Sequence, residues 1–551
     1  MTQPPQPGGY GAPHTPPRPP RPPVPPPPPG PYGRLQDPYD WNSGYGIPQP
    51  SPPTPSTPPT PPAGPGGGGR RAKGWSAVVV AAVVAIALII GGGVLYANSG
   101  DGDAKDATAG ADGGTGGQVD GGDGTTSQGS EKVPARTASK VLFQIPSPKA
   151  LDAGSGAVPG SWLTGKAYVK TGVAEIVGYD PDKGTKLWTI PLPGPVCTVT
   201  GHTTKDDLTA IVHEPAMPTK AKPTHGCTQV SAIDLDAGRK LWTGSALRGT
   251  APIRFDNITI SARTVAVGGA GGGAAFDITS GASLWTPKAN DTCYDAGYGG
   301  GPKLVALRKC RSQSGLQPHI QTIDPQSGQV ISAYRMPDGI EHVGIVSTDP
   351  LLVAAGDGSG VSEYFSLDNR TGRLRTRISA PSEQYAAVCD LISRIEQCSQ
   401  VAVGKDRLYL PTKVRAGAVG SAQTNEIVAF DLTTGRRTGQ RAVAGDGYVI
   451  APLRMDDGNL LAYKRAPYAA QGGQVVSIDG RTFKQTRLLQ NPATQAVRDA
   501  EAGMLPERAE YLYTQGHLYI SAISAISATT AAGSARPGER KYLVIAFGAG
   551  D

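Results

Sequence analysis

Six cysteines and seven histidines carry the most versatile chemistry in this 551-residue chain. Cys197, Cys227, Cys293, Cys310, Cys389 and Cys398 all lie in the C-terminal part, and no two are adjacent. An even count in an exported region reads as disulfides. His202, His213 and His225 flank Cys197 and Cys227, which raises zinc as an alternative. Their spacing matches neither a C-x₂₋₄-C nor an H-x₃₋₅-H pattern, so a disulfide with unrelated histidines is the preferred reading. Asp180-Pro-Asp182 resembles the start of a calcium loop, but the remaining ligand positions are missing and a turn is preferred. No G-x-S-x-G, H-E-x-x-H or phosphate-binding loop occurs. The sequence therefore nominates no catalytic, cofactor-binding or metal-ligating residue.

The residues that do recur are structural. Asp180, Gly184 and Trp188 form a series with Asp234, Gly238 and Trp242, and with Asp277, Gly281 and Trp285. In each, glycine follows aspartate by four positions and tryptophan follows glycine by four. An apolar strand ends at the aspartate, whose carboxylate accepts turn N–H groups; glycine takes a positive φ, and the return strand carries the tryptophan. Fainter copies follow: Asp324 with Gly328, Asp368 with Gly372, and Asp431 with Gly435, where Ser332, Thr376 and Gly439 replace tryptophan. Asp479 has Phe483 at the glycine position, and a last strand runs from Tyr542 to Phe547. Successive aspartates stand 43 to 63 residues apart. Periods of that size, with several strands each, predict propeller blades.

This pattern resembles the tryptophan-docking motif, A-x-D-x-x-T-G-x-x-x-W, of the PQQ-type propellers, the quinoprotein dehydrogenases and their non-catalytic relatives. The resemblance implies an all-β fold, an eight-bladed PQQ-like β-propeller over residues 139–551, with Trp188, Trp242 and Trp285 packed between adjacent blades. Because the later copies lack tryptophan, it leaves their junctions open. The last blade lacks a return strand, and Lys140 to Ile145 has the composition to supply it from the N-terminal side. The neighbouring cysteines then fall within single predicted blades, which favours Cys197 with Cys227, Cys293 with Cys310, and Cys389 with Cys398. A catalytic quinoprotein should carry a vicinal cysteine pair above its cofactor, and this chain has none. No cofactor is expected.

The rest of the chain places this propeller. Trp75 to Ala97 holds no charged residue and at about 1.5 Å per residue spans a hydrocarbon core of roughly 30 Å. Arg70, Arg71 and Lys73 precede it, while residues 97–138 hold seven acids against three bases. The positive-inside rule then sets the N-terminus in the cytoplasm and the propeller outside. A cleaved signal peptide, with Arg70-Arg71 as a twin-arginine signal, is opposed by the 74 residues that precede the apolar run and by the lack of an A-x-A site. Residues 1–74 hold most of the 52 prolines and read as a disordered tail, either a ligand for a proline-reading partner or a solvated segment. Residues 98–138 read as a Gly/Asp-rich flexible linker.

Two functions follow from different classes. One is a membrane-anchored extracellular propeller that binds or senses a ligand or protein without catalysis. The other is a cell-envelope assembly scaffold, with a PQQ-dependent dehydrogenase third. No concentrated Lys/Arg block marks a nucleic-acid partner. Loops 214–226, 413–424 and 521–540 are the expected recognition surface. The topology has a direct test: protease added to intact cells is expected to remove everything beyond residue 100 and spare an epitope before residue 70. The reverse pattern would overturn the compartment assignment.

Overall fold

The computed structural model describes residues 131–549, apart from 150, 152–155, 289, 314, 359, 419–421, 467–470 and 526–541. The tail, the apolar segment 75–97 and most of the linker lie outside the described residues. Among the described residues no helix is long and apolar enough to cross a membrane.

The first repeat shows how each unit forms. Ser161–Leu163, Tyr168–Thr171, Glu175–Tyr179 and Lys186–Pro191 pair antiparallel in chain order. The two middle strands are almost wholly buried, since neighbouring sheets cover both their faces, and they read as continuous apolar, β-branched runs. The outer strand is largely exposed and alternates. Eight such four-stranded sheets occur among the described residues. Blades 1 to 7 span 161–191, 196–244, 257–285, 293–335, 342–379, 402–443 and 449–490. Blade 8 joins Ala509–Thr514, His517–Ala522 and Tyr542–Ala549 to Ser139–Pro146. Eight apolar clusters accompany the eight sheets, each combining residues from two consecutive blades, so the core is a set of inter-blade seams.

The repeated aspartates build identical turns. Asp180 Oδ1 accepts from the N–H groups of Asp182 (3.0 Å) and Lys183 (2.8 Å), and Gly184 N–H returns to the Asp180 carbonyl. The same carboxylate-to-backbone bonds recur at Asp277, Asp324, Asp368, Asp431 and Asp479. Donation from the turn N–H groups holds Asp180, Asp324, Asp431 and Asp479 below the usual carboxylate range. Gly184, Gly238 and Gly281 adopt φ of +67°, +60° and +72°. The glycine also clears space: a methyl group at Gly238 would run into the Trp188 ring, and one at Gly281 into Trp242. Each tryptophan thus lies over the turn glycine of the following blade, with Trp285 over Gly328.

The junctions without tryptophan are held differently. Ser332 Oγ donates to the Asn369 carbonyl at 2.7 Å, and Thr376 packs against Gly435. At the sixth junction the aromatic has changed sides. Gly439 occupies the tryptophan position, and the following turn carries Phe483 at φ +59°, buried with Tyr409 and Ala429 of blade 6.

The ring closes through both termini. Ser139–Pro146 pairs antiparallel with Tyr542–Ala549, from Ser139 opposite Ala549 to Pro146 opposite Tyr542. Phe143 stands opposite Ala546, the register that Trp188 holds opposite Gly178, and its ring covers Gly184. Tyr168 stacks on Tyr519 at 4.5 Å, and Lys170 reaches across to Glu510 at 2.9 Å. The end of the linker departs from expectation. Residues 131–138 are docked rather than free: the Glu131 carboxylate meets Arg454 at 2.6 Å and accepts from Gln515 N–H at 2.7 Å, and Thr137 O accepts from Gln490 N–H.

Strand order fixes two unequal faces. First-to-second and third-to-fourth connections share one face and are mostly tight turns. Second-to-third and blade-to-blade connections share the other and include every long loop among the described residues. Glu131 enters at the turn face, beside Asp456 and Gln515.

Candidate functional site

The structure joins Cys197 to Cys227, Cys293 to Cys310 and Cys389 to Cys398, with Cα separations of 6.0, 4.1 and 4.0 Å. The first two staple blades 2 and 4. The third differs from the expected intra-blade pair, for it closes a two-stranded ribbon in the connection between blades 5 and 6. The histidines are dispersed among separate partners. His213 is buried, its Nδ1 2.9 Å from the Glu214 carbonyl and its Nε2 2.9 Å from Ser231 Oγ. His225 N–H donates to the Glu214 carboxylate. Asp182 lies 2.9 Å from His517 Nε2, so the Asp180-Pro-Asp182 turn ties blade 1 to blade 8.

The ribbon enters the central channel as a plug. Leu391 and Ile395 are fully buried against the innermost strands of blades 4 and 5. Those strands make room with glycine: a Cβ at Gly344 would press on Leu391, and one at Gly297 would lie 2.8 Å from Ile395 Cγ1. Ile345 N–H donates to the Ile395 carbonyl at 2.6 Å. Glu396 reaches deepest. Its Oε1 accepts from Gly300 N–H at 2.7 Å and lies 2.8 Å from His202 Nε2. Asp390 caps the plug's own turn through the N–H groups of Ile392 and Ser393. The plug interrupts the innermost strand of blade 6: Tyr385 bridges Thr412 and Ala386 N–H donates to the Pro411 carbonyl before it, and Ala402–Val403 resumes the strand after it.

Opposite the plug, between it and blades 1, 2, 3, 7 and 8, a cleft of 390 Å³ stays open. His202, Arg394, Gln397, Glu507, Glu510 and Tyr511 line it. Glu510 is already committed, accepting from Gly160 N–H (2.6 Å) and pairing with Lys170, whose Nζ also donates to the Val158 carbonyl (2.7 Å). Burial pushes the Lys170 ammonium below the usual lysine range against the pull of Glu510. No group of three or more potential metal ligands gathers among the described residues. The lining does not fit the cofactor arrangement implied by a catalytic quinoprotein, since its cysteine, Cys398, is bonded to Cys389 rather than to a chain neighbour.

The docking residues Trp188, Trp242, Trp285, Asp180, Asp234, Asp277, Gly184, Gly238 and Gly281 all belong to the turn-face seams, away from this cleft. Loop 214–226 lies on the loop face, as do the described parts of 413–424 and 521–540. Glu214 is nonetheless buried, and Ser521 and Ala522 belong to a strand. The plug, Phe143 and the Lys170–Glu510 pair had no local motif. The exchange of Gly439 for Phe483 was visible once the repeat copies were aligned.

Residues 106–292 match a family model described as outer membrane protein assembly factor BamB, a PQQ-like repeat, so the resemblance drawn from the docking motif stands. No curated protein matches the sequence. Among solved structures, BamB from Moraxella catarrhalis is 14% identical over 74% of this chain and 97% of that one, with a TM-score of 0.37. The quinohemoprotein alcohol dehydrogenase ADHIIG from Pseudomonas putida HK5 is 11% identical over 76% of each chain, with a TM-score of 0.42. The computationally designed Ika8 protein is 12% identical over 73% of this chain and 99% of its own, with a TM-score of 0.39.

The plug can be tested at its glycine seat. Gly297→Val should overpack the seam, cost about 2 kcal/mol and loosen the hairpin. Trypsin should then cut after Arg394 faster than in the parent, leaving a nick that separates only on reduction because Cys389–Cys398 spans it. Equal cleavage rates would show that the hairpin is not seated there.

Proposed function

We propose that this protein is a membrane-anchored, exported propeller that binds a partner through its loop face and catalyses no reaction. The observation that carries the reading is the division of labour between the faces. The turn face is spent on blade docking and on receiving the chain at Glu131. The loop face carries the long connections, two of them fastened by disulfides and one folded into the channel as a plug. Recognition residues concentrate on loops held by a rigid scaffold. The plug ties four blades into one body, since Ile395 and Glu396 reach blades 2, 4 and 5 from the connection between 5 and 6. That description suits a presenting surface better than a mobile catalytic lid.

A scaffold for envelope assembly is the second reading, and the match of residues 106–292 to an assembly-factor model favours it. Both readings need the same face. Photo-crosslinkers at Lys222 on the loop face and at Lys205 on the turn face separate them from a passive spacer. Crosslinks to a protein of the envelope are expected from Lys222 and not from Lys205, and purified protein given PQQ and calcium should reduce no dye. Crosslinks mainly from Lys205, or saturable dye reduction, would contradict the proposal.

A further inference from the structure

The loop face is not uniform. Over blades 2 to 4 it exposes Lys220, Lys222, Arg248, Arg254, Lys288 and Arg311. None of the six sits in an ion pair among the described residues. The carboxylates of the same sector are mostly spent. Glu214 is buried and accepts from Thr224 and His225, while Asp291 and Asp295 both hold Arg308. Asp256, beside Arg254, and the exposed Glu341, whose carboxylate lies near Gly315, are the exceptions. Interleaved with the bases are exposed apolar side chains: Met217 at 41%, Leu247 at 51% and Leu316 at 39%.

These connections form one surface. Phe255 N–H donates to the Cys227 carbonyl, the Arg254 guanidinium packs on Gly226, and Pro287 packs on Gly272. Cys197–Cys227 and Cys293–Cys310 fasten its two ends to the blades beneath. A rigid surface that mixes unpaired cations with exposed apolar groups has two unmet needs, opposite charge and removal from water.

We infer that this sector of the loop face docks an acidic protein segment that also presents apolar side chains, an inference that rests on the loop-face reading above. A bilayer fits less well, because the chain reaches the propeller at Glu131 on the opposite face. A polyanionic polymer would use the six bases and leave Met217, Leu247 and Leu316 without a role. Arginine and lysine at the rim of an interface act mainly by steering and by salt-sensitive attraction, and the apolar trio supplies the area that holds a docked segment.

The test uses the full chain in detergent micelles and a fluorescein-labelled, glutamate-rich peptide with interspersed leucines, read by anisotropy. Comparison probes are a leucine-free polyglutamate and phosphatidylglycerol vesicles. Saturable binding of the leucine-bearing peptide is expected, weakening by about tenfold or more between about 50 and about 200 mM salt. Lys220→Glu with Arg248→Glu and Arg311→Glu should lose binding by about tenfold or more at unchanged melting temperature, while Lys205→Glu with Arg370→Glu should keep it. Met217→Ser with Leu247→Ser should weaken binding and leave its salt dependence intact. The inference is overturned if polyglutamate binds as tightly, if vesicles bind in preference to the peptide, or if the turn-face variant loses as much. In each case crosslinks from Lys222 to an envelope protein would still stand, so failure here is distinguishable from failure of the loop-face reading.

Discussion

An aromatic ring laid over the turn glycine of the next blade is the contact on which this molecule depends. The aspartate before the turn fixes its backbone, the glycine adopts the left-handed conformation and offers no Cβ, and the flat surface so exposed accepts a ring. Truncating a buried ring of this kind to alanine typically costs about 3–5 kcal/mol. The contact is worth more than its local energy because it sets the angle between sheets. Where the chain abandons it, something replaces it: Ser332 with Asn369, Thr376 with Gly435, or an aromatic transferred across the seam as Phe483. The last junction is the most demanding, for blade 8 joins an outer strand from residues 139–146 to three strands from 509–549, and there Phe143 takes the tryptophan's place over Gly184.

From that closed ring the rest follows. With every docking turn on one face, the long connections are confined to the other. One of them, stitched by Cys389–Cys398, folds down the axis against glycines on blades 4 and 5 and ends with Glu396 between His202 and Gly300. A channel filled in this way stiffens the ring from within and leaves a cleft on one side only. If the loop face binds a partner as proposed, binding energy would not be spent on ordering the surface, which is the advantage of a preorganised scaffold.

Much of this was legible in the sequence because it is local. Asp180, Gly184 and Trp188 lie within nine residues, so one turn and one return strand declare themselves, and repetition counts the blades. The closing strand could be named because one blade lacked a partner and Lys140 to Ile145 had strand composition. What stayed hidden is non-local. Glu396 meets Gly300 across 96 residues and His202 across 194, and Glu131 meets Gln515 across 384. No spacing rule reports such pairs. The third disulfide was paired correctly from proximity, yet its setting in a plug rather than a blade needed the fold, as did the docking of residues 131–138 that composition had marked as linker.

Hydrogen exchange of the full chain, with and without Phe143→Ala, tests the ring most directly. If aromatic-over-glycine docking at the closing junction unites the propeller, the substitution should raise exchange together in Tyr542–Ala549 of blade 8 and in Tyr168–Thr171 and Glu175–Tyr179 of blade 1. Blades 3 to 5, on the far side of the ring, should change least. Protection left unchanged on both sides of that junction, or lost only within Ser139–Pro146, would contradict the account.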